Sequence, residues 1–181
     1  MEVINEFIAR LEGKFRRVEY PRKTCLVRQG EVSKLVYIVE QGYLRLWHNY
    51  NGVDITVDFF HSGDIVGPFE CTFWNEPAHM NVEVIVPTIV RTVKAEDLLE
   101  VEYETKDATK IVIDKLLHRI TEYQYRVITS LKASPTVRYQ ELTKQKPELI
   151  EQVPKHYIAS YLGITQVYLR RIRHKLTHQD K

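Results

Sequence analysis

Residues 155–172 read Lys-His-Tyr-Ile-Ala-Ser-Tyr-Leu-Gly-Ile-Thr-Gln-Val-Tyr-Leu-Arg-Arg-Ile, and their pattern predicts the fold near the C-terminus. Apolar residues up to Leu162 recur on one face of a predicted helix, and the small Ala159 lets a second helix approach closely. Gly163 suits a positive φ that ends the helix in a sharp turn, and Thr165 is a typical cap for the next helix. Two short helices joined in this way are typical of a helix-turn-helix.

The second predicted helix has an apolar face and a polar face. Leu169, Ile172 and Leu176 recur every three to four residues and face inward. The other side chains suit the major groove, where arginine binds guanine bidentately, glutamine pairs with adenine and an apolar group contacts the thymine methyl. A helix-turn-helix places its second helix in that groove. We therefore predict that double-stranded DNA is bound by Lys155, Thr165, Gln166, Val167, Tyr168, Arg170, Arg171 and Arg173.

The charge distribution supports this prediction. Residues 154–181 hold six lysines and arginines against one aspartate, a net charge of +5, so residues 1–153 carry −3 of the whole-chain +2. Cations concentrated at the predicted surface are what phosphate contact requires. The alternative is an ordinary two-helix C-terminal cap with a solvated basic face.

The composition excludes several classes of protein. The 181-residue chain is 44% hydrophobic and 28% charged, which is ordinary for a globular protein. It shows no signal peptide and no apolar run long enough to span a membrane, so we expect a cytoplasmic protein with no membrane partner. Cys25 and Cys71 lie far apart without a Cys-x-x-Cys pair, which argues against an iron–sulfur cluster or a cysteine-based zinc site. We expect two reduced, partly buried thiols, with a redox sensor as the alternative.

Short strands dominate the region from Phe15 to Val93, after a predicted helix over residues 1–14. β-Branched and aromatic residues are frequent there, and turn signals such as Asn51-Gly52 separate the runs. Many short strands at even spacing favour a jelly roll. The predicted strands are Val18–Tyr20, Thr24–Val27, Leu35–Val39, Tyr43–Tyr50, Asp54–Phe60, Asn81–Val86 and Ile89–Val93.

Helical periodicity replaces the strand pattern near Lys94. A short helix is predicted over Lys94–Leu99, a long amphipathic helix over Lys106–Lys132, and a further helix over Thr136–Gln145. Apolar residues of the long helix repeat every seven residues and form a wide stripe, which favours a coiled-coil homodimer. The alternative is that this helix packs only on its own roll. The predicted dimer residues are Ile113, Leu116, Leu117, Ile120, Tyr123, Gln124 and Val127.

The order of a roll, a long helix and a helix-turn-helix resembles the cyclic-AMP receptor protein/Fnr superfamily of bacterial transcription regulators. The motifs that carry the resemblance are Val32–Gly42, Phe60–Gly67 and Val153–Leu176. The segment Arg138–Leu169 is similar to the branch common in Bacteroidetes-type bacteria. The resemblance implies an α+β fold in three parts: a cyclic-nucleotide-binding-like jelly roll over residues 1–105, a dimerisation helix over residues 106–132, and a winged helix-turn-helix-like domain over residues 133–181.

The resemblance also implies a function. Such regulators act as homodimers that bind specific DNA sequences, so we expect two reading helices in successive major grooves about 34 Å apart. RNA polymerase is a further expected partner. An effector bound in the roll would act by shifting the long helices and so the reading helices.

The effector region departs from the family pattern. Cyclic-nucleotide-binding members use a Gly-Glu-Leu turn followed by an arginine that pairs with the cyclic phosphate, whereas here Gly67 precedes Pro68 and no arginine lies between Arg45 and Arg91. The missing cation would cost a charge-assisted bond of roughly 1.5–3 kcal/mol, and Pro68 removes a backbone donor. We therefore predict that cyclic AMP is not bound in the usual way.

One interpretation of this region is a pocket for another small-molecule effector; no cofactor is identified. Phe69, Phe73, Trp74 and Met80 would line an apolar pocket, with Glu70 or His79 as a polar contact. The alternative is that these aromatic side chains fill the core of the roll. The tentative effector residues are Gly67, Phe69, Glu70, His79, Met80 and Asn81.

The predicted reading helix also departs from the family pattern. Related members often present Arg-Glu at its start and an arginine one turn later. Arg171 matches the last position, but Gln166 and Val167 replace the first two. A glutamine–adenine contact and a valine–thymine contact favour an A·T-rich half-site.

Two rival functions were weighed against a regulator. A cupin-type enzyme needs a His-x-His pair with further ligands, but His48, His61 and His79 are isolated, so we predict that the chain is not an enzyme and holds no metal. The second rival is an effector-binding or interaction module that keeps the fold but has lost DNA binding. The arginines of the predicted reading helix argue against it.

Overall fold

The strands form two four-stranded antiparallel sheets, which we call the roll (Arg16–Lys94). The structure is a computed structural model that describes residues 13–104 and 106–179. The strands, numbered in chain order, are β1 Arg16–Tyr20, β2 Cys25–Val27, β3 Leu35–Gln41, β4 Leu44–Tyr50, β5 Val53–Phe60, β6 Ile65–Val66, β7 Asn81–Val84 and β8 Thr88–Lys94. One sheet has the order β1-β8-β3-β6 and the other has the order β2-β7-β4-β5. The predicted strand-rich N-terminal part and the α+β class are confirmed.

Two turns of the roll depend on residues that accept a positive φ. Asn51 and Gly52 have φ values of 51° and 84°, the geometry expected of an Asn-Gly hairpin between β4 and β5. Gly42 has a φ of 96°, and a Cβ there would lie 2.5 Å from Thr88 Oγ1 and 2.6 Å from the Pro87 carbonyl oxygen. Only glycine fits this second turn, because both the backbone angle and the space exclude a side chain.

Apolar side chains fill the space between the two sheets. Leu44, Val84 and Val90 are fully buried there, and Cys71 and Ala78 from the segment between β6 and β7 join them. The Tyr37 hydroxyl donates to the Leu26 carbonyl at 3.0 Å, so the polar end of this buried ring is satisfied. The interior of the roll is thus a packed core of the kind that stabilises a two-sheet fold.

Helices make up the remainder of the described chain. The long helix Lys106–Lys132 begins and ends at the predicted residues, while the helix Ala95–Glu104 extends beyond the predicted end at Leu99. The short helices Phe69–Phe73 and Pro147–Gln152 and the strand Ile65–Val66 were not predicted. Most of the helix predicted over residues 1–14 lies outside the described residues. The helices are α1 Phe69–Phe73, α2 Ala95–Glu104, α3 Lys106–Lys132, α4 Pro135–Gln145, α5 Pro147–Gln152, α6 Lys155–Tyr161 and α7 Gln166–Gln179.

Polar contacts attach the long helix α3 to the roll. Arg119 donates to Asp58 at 2.7 Å, and the Tyr123 hydroxyl donates to the same carboxylate at 3.0 Å. One turn further on, Arg126 donates to the Val57 carbonyl. One side of α3 is therefore fixed to β5.

The C-terminal helices share a hydrophobic core with the roll. Ile158, Leu169 and other buried residues of α4 to α7 form one cluster with Tyr43, Phe59 and Ile85, which belong to the roll or its loops. The two parts of the chain therefore bury apolar surface against each other.

No helix in the described part of the chain is long and apolar enough to cross a membrane. Within residues 13–104 and 106–179, no group of three or more His, Cys, Asp or Glu side chains is placed to hold a metal ion. Cys25 is half-buried and Cys71 is buried, and both are free thiols.

Candidate nucleic-acid interface and effector region

The turn between α6 and α7 has the local structure predicted from its residues. Gly163 has a φ of 66°, and a Cβ there would meet nothing within 4 Å, so the glycine is needed for its backbone angle rather than for space. The Thr165 hydroxyl accepts the Tyr168 N–H at 3.2 Å, which caps the first turn of α7. The predicted cap is therefore confirmed.

The inward faces of both helices are buried as predicted. Ile158, Ala159 and Leu162 of the first helix are buried, and Leu169 and Ile172 of the second helix pack in the same cluster. This packing turns the opposite side of α7 toward solvent.

The predicted DNA-binding residues of α7 lie on that exposed side. Arg170 and Arg171 line a shallow surface cavity of about 420 Å³ together with His174. Val167 is 60% exposed although it is apolar, and exposure of such a side chain beside arginines is what base-edge contact needs. The predicted residues that are exposed are Thr165, Gln166, Val167, Tyr168, Arg170, Arg171 and Arg173.

Lys155 has a different environment from the other predicted DNA-binding residues. It is half-buried at the start of α6, and its ammonium group donates to the Ile150 carbonyl. Burial, followed by the nearby charge of Arg173, lowers the pKa of Lys155. Its ammonium group therefore already has a structural partner at the end of α5.

The polar residues of the predicted effector region are engaged within the protein. Glu70 accepts the His79 N–H at 2.7 Å, which ties α1 to the loop before β7. Asn81 accepts the Gln29 N–H at 3.0 Å and donates to the Trp47 carbonyl at 3.4 Å. Gln29, Trp47 and Asn81 thus form a structural link between loop and strand.

The aromatic residues of this region fit neither interpretation made from the sequence. Phe73 and Trp74 are exposed, Trp74 by 69%, so they neither line an enclosed pocket nor fill the core. Phe69 stacks on Phe73 with ring centroids 6.5 Å apart, and Met80 is half-buried. The core positions near α1 are taken by Cys71 and Ala78 instead, because these smaller residues face the sheets.

A buried ionic cluster between the roll and α6 was missed by the sequence analysis. Arg45 on β4 is only 2% exposed and donates to both carboxylate oxygens of Asp54, at 2.6 and 2.8 Å, and to Glu83 at 2.6 Å. Its guanidinium group lies 4.0 Å from the ring centroid of Tyr157 on α6 and 4.9 Å from that of Trp47. The Arg45 guanidinium group is therefore held by two carboxylates and two aromatic rings.

Comparison with protein families identifies the type of domain that forms the roll. Residues 17–102 match the cyclic nucleotide-binding domain family. No curated protein sequence matches this chain significantly.

Solved structures share the fold over nearly the whole chain. The c-di-GMP-responsive global regulator CLP of Xanthomonas campestris is 18% identical, with a TM-score of 0.77 over 97% of this chain and 93% of its own. FixK2 from Bradyrhizobium japonicum is 18% identical, with a TM-score of 0.76 over 92% of this chain and 86% of its own. CooA from Carboxydothermus hydrogenoformans is 18% identical, with a TM-score of 0.68 over 92% and 78%.

These findings confirm the resemblance predicted from the sequence. The roll is similar to a cyclic nucleotide-binding domain, and the whole chain shares its fold with CLP and FixK2.

The residues present do not fit a cyclic nucleotide. The buried Arg45 is already paired with Asp54 and Glu83, and Glu70 is already bonded to the backbone of His79. Pro68 precedes α1 and has no N–H to offer a phosphate. A phosphate placed beside Pro68 would therefore lack a backbone donor there, and Arg45 could pair with it only by giving up Asp54 and Glu83.

Proposed function

We propose that this chain is a homodimeric regulator that binds specific DNA sequences, with α6 and α7 as a helix-turn-helix. The observation that carries the proposal is the exposed side of α7, where Arg170, Arg171 and Arg173 flank Gln166 and Val167. A capped helix with cations and base-reading groups on one side suits the major groove. We do not propose an enzymatic activity for this chain.

The apolar side of α3 supports the homodimer. Ile113, Leu116, Leu117, Ile120 and Val127 are all between 44% and 57% exposed, and Ile128 and Leu131 toward the end of the helix are exposed as well. Exposed apolar stripes of this length in a helix are stabilised by a second helix. We propose that two copies pair through this side, which is adjacent to the side attached to the roll.

The assignment of Tyr123 to the dimer changes with the structure. At 100° per residue the exposed apolar residues centre on the side of Ile120, whereas Tyr123 is turned toward Arg119 and Asp58. Its ring borders a groove of about 510 Å³ that Ile120, Gln124, Val127 and Ile128 also line. We therefore propose that Tyr123 lies at the edge of the dimer surface and that Ile128 belongs to this surface.

We propose a separate role for each of the three parts predicted from the sequence. Residues 1–105 would form the effector-type domain, residues 106–132 the dimer helix, and residues 133–181 the DNA-binding part. RNA polymerase is the further partner that such a regulator would contact on DNA. The roll would not bind cyclic AMP in the usual way.

Selection of binding sites from a random DNA pool tests the proposal. We expect an inverted repeat with A·T-rich half-sites, and the Val167→Glu variant should select a different half-site. An unchanged site for Val167→Glu would refute the assignment of Val167 to base reading. Absence of any enriched site, with and without cell extract, would favour the alternative of a module that has lost DNA binding.

The salt dependence of binding tests the role of the cations. Each α7 has four exposed cations: Arg170, Arg171, Arg173 and Lys175. If all eight cations of a dimer contact phosphates, the slope of log K against log salt should be about −7. Arg171→Ala should weaken binding by roughly 1–3 kcal/mol in each half-site. Arg28→Ala removes an exposed charge from the roll instead, and this control should leave binding unchanged.

A further inference from the structure

We propose that the roll directly holds the reading helices in position, and that this contact sets the spacing between the two DNA half-sites. We call the contact the clasp and define it as Arg45, Asp54 and Thr56 of the roll with Tyr157 and Ser160 of α6. The inference rests on the proposed function, since it concerns how the same DNA-binding surface is placed.

Arg45 forms the buried half of the clasp. Its two terminal nitrogens are bonded to Asp54, Thr56 and Glu83 within the roll, so the position of its planar group is fixed. Tyr157 of α6 packs on that plane, with 4.0 Å between its ring centroid and the guanidinium carbon. The start of α6 is therefore placed by a side chain that belongs to the roll.

Ser160 forms the hydrogen-bonded half of the clasp. Its hydroxyl accepts the Thr56 N–H at 2.8 Å and donates to the Asp54 carbonyl at 3.0 Å. Asp54 and Thr56 are also the residues whose side chains hold Arg45. Both halves of the clasp thus meet at one stretch of β5, and a movement of α6 would break them together.

The next turn of α6 extends the contact toward the long helix. The Tyr161 ring lies 5.3 Å from Phe59 of β5, and Arg126 of α3 lies 5.0 Å from the same ring. Arg126 also donates to the Val57 carbonyl. The roll, α3 and α6 consequently meet around Tyr161.

This arrangement explains why the clasp would control spacing. In the proposed dimer the two α3 helices are paired, and each roll is fixed to its own α3 through Asp58. The covalent path from α3 to the reading helices is the short link at Ala133 and Ser134, which alone leaves several orientations open. The apolar cluster shared with the roll adds buried contact area, and the clasp adds directional contacts to it, so the distance and the rotation between the two α7 helices become fixed.

The test compares variants on DNA probes in which the two selected half-sites are separated by spacers that differ by single base pairs. Ser160→Ala removes both hydrogen bonds to β5, and Arg45→Lys keeps the charge but loses the planar contact with Tyr157. Thr143→Val is the matched control, because the Thr143 hydroxyl bonds only to the Tyr139 carbonyl in its own helix. Hydrogen exchange at the Thr56 amide reports independently whether the clasp has opened.

We expect the wild type and Thr143→Val to prefer one spacer. Ser160→Ala and Arg45→Lys should reduce that preference by about fivefold or more while binding an isolated half-site as the wild type does. Exchange at Thr56 should be faster in Ser160→Ala. A spacer profile that matches the wild type, or a Thr56 amide that exchanges no faster, would overturn the clasp.

Failure of the proposed function has a different signature. In that case the wild type itself binds no half-site in a salt-dependent manner, and no spacer series can be built from a selected site. A wild type that binds half-sites but shows no spacer preference overturns the clasp alone.

Discussion

Replacing Arg45 with methionine is the perturbation whose effect on stability the structure defines best. The change would leave the carboxylates of Asp54 and Glu83 without their cation at the junction of the roll and α6. Glu83 is 14% exposed, so its charge stays largely buried, whereas Asp54 is 47% exposed and is partly screened by water. The cost therefore comes mainly from Glu83.

The magnitude follows from that difference in exposure. Breaking a buried ion pair by removal of one partner costs about 3–5 kcal/mol. Because Asp54 is half-exposed, we expect a loss near the lower end, about 3–4 kcal/mol in the free energy of unfolding. For a chain of this size that loss lowers the melting temperature by roughly 6–16 °C.

Chemical denaturation of Arg45→Met, with two companion variants, measures this loss. The triple variant Arg45→Met/Asp54→Asn/Glu83→Gln removes the uncompensated charges and should return to within about 1–2 kcal/mol of the wild type. Arg91→Met is the control, since Arg91 forms its ion pair with Glu40 nearer the surface and should cost about 1 kcal/mol or less. A loss below about 1 kcal/mol in Arg45→Met, or a triple variant as unstable as the single one, would refute the reasoning.

Three further predictions concern the dimer surface and two titrating side chains. Ile120→Asp places a charge in the centre of the exposed apolar side of α3 and should yield monomers by light scattering, whereas Tyr125→Asp, which lies off that side, should remain dimeric. Burial, followed by the charge of Asp58, raises the pKa of Tyr123 to about 12. Since an unfolded tyrosine ionises near 10, the free energy of unfolding should fall as the pH rises from 10 to 12, and Tyr123→Phe should weaken that fall while costing about 1–2 kcal/mol at neutral pH. Burial, followed by nearby arginines, lowers the pKa of His156 below 6.5, so the folded state resists protonation. The free energy of unfolding should therefore decrease as the pH falls below 6.5, and a His156→Gln variant that decreases as steeply would contradict this assignment.

The regular elements with strong periodicity were predictable from the sequence. The helix Lys106–Lys132 was predicted to the residue, because a seven-residue apolar repeat runs through it and Ser134-Pro135 ends it. The Asn51-Gly52 hairpin was predictable for a similarly local reason. By contrast, α1, α5 and β6 contain two to six residues, which is too few to show a helical or alternating pattern.

The arrangement of the candidate site was only partly predictable. The cap at Thr165 and the turn at Gly163 are local features, so they could be predicted from the residue types at these positions. Arg45 and Glu83 are 38 residues apart and meet only through the register between β4 and β7. The role of Tyr123 depends on which side of α3 meets the roll, and a heptad pattern does not contain that information.

The hydrophobic cluster shared by the roll and the C-terminal helices bears on how chains of this fold can be recombined. A chimaera that joined the last helices of another regulator to this roll would have to match Tyr43, Phe59 and Ile85, which face Ile158 and Leu169 across the junction. Substitutions at these positions disturb the packing of both parts of the molecule, because a packed interior tolerates few changes in volume. Transplanting whole domains is thus disfavoured in this chain, whereas exchange of single residues on the outer side of α7 leaves the junction intact.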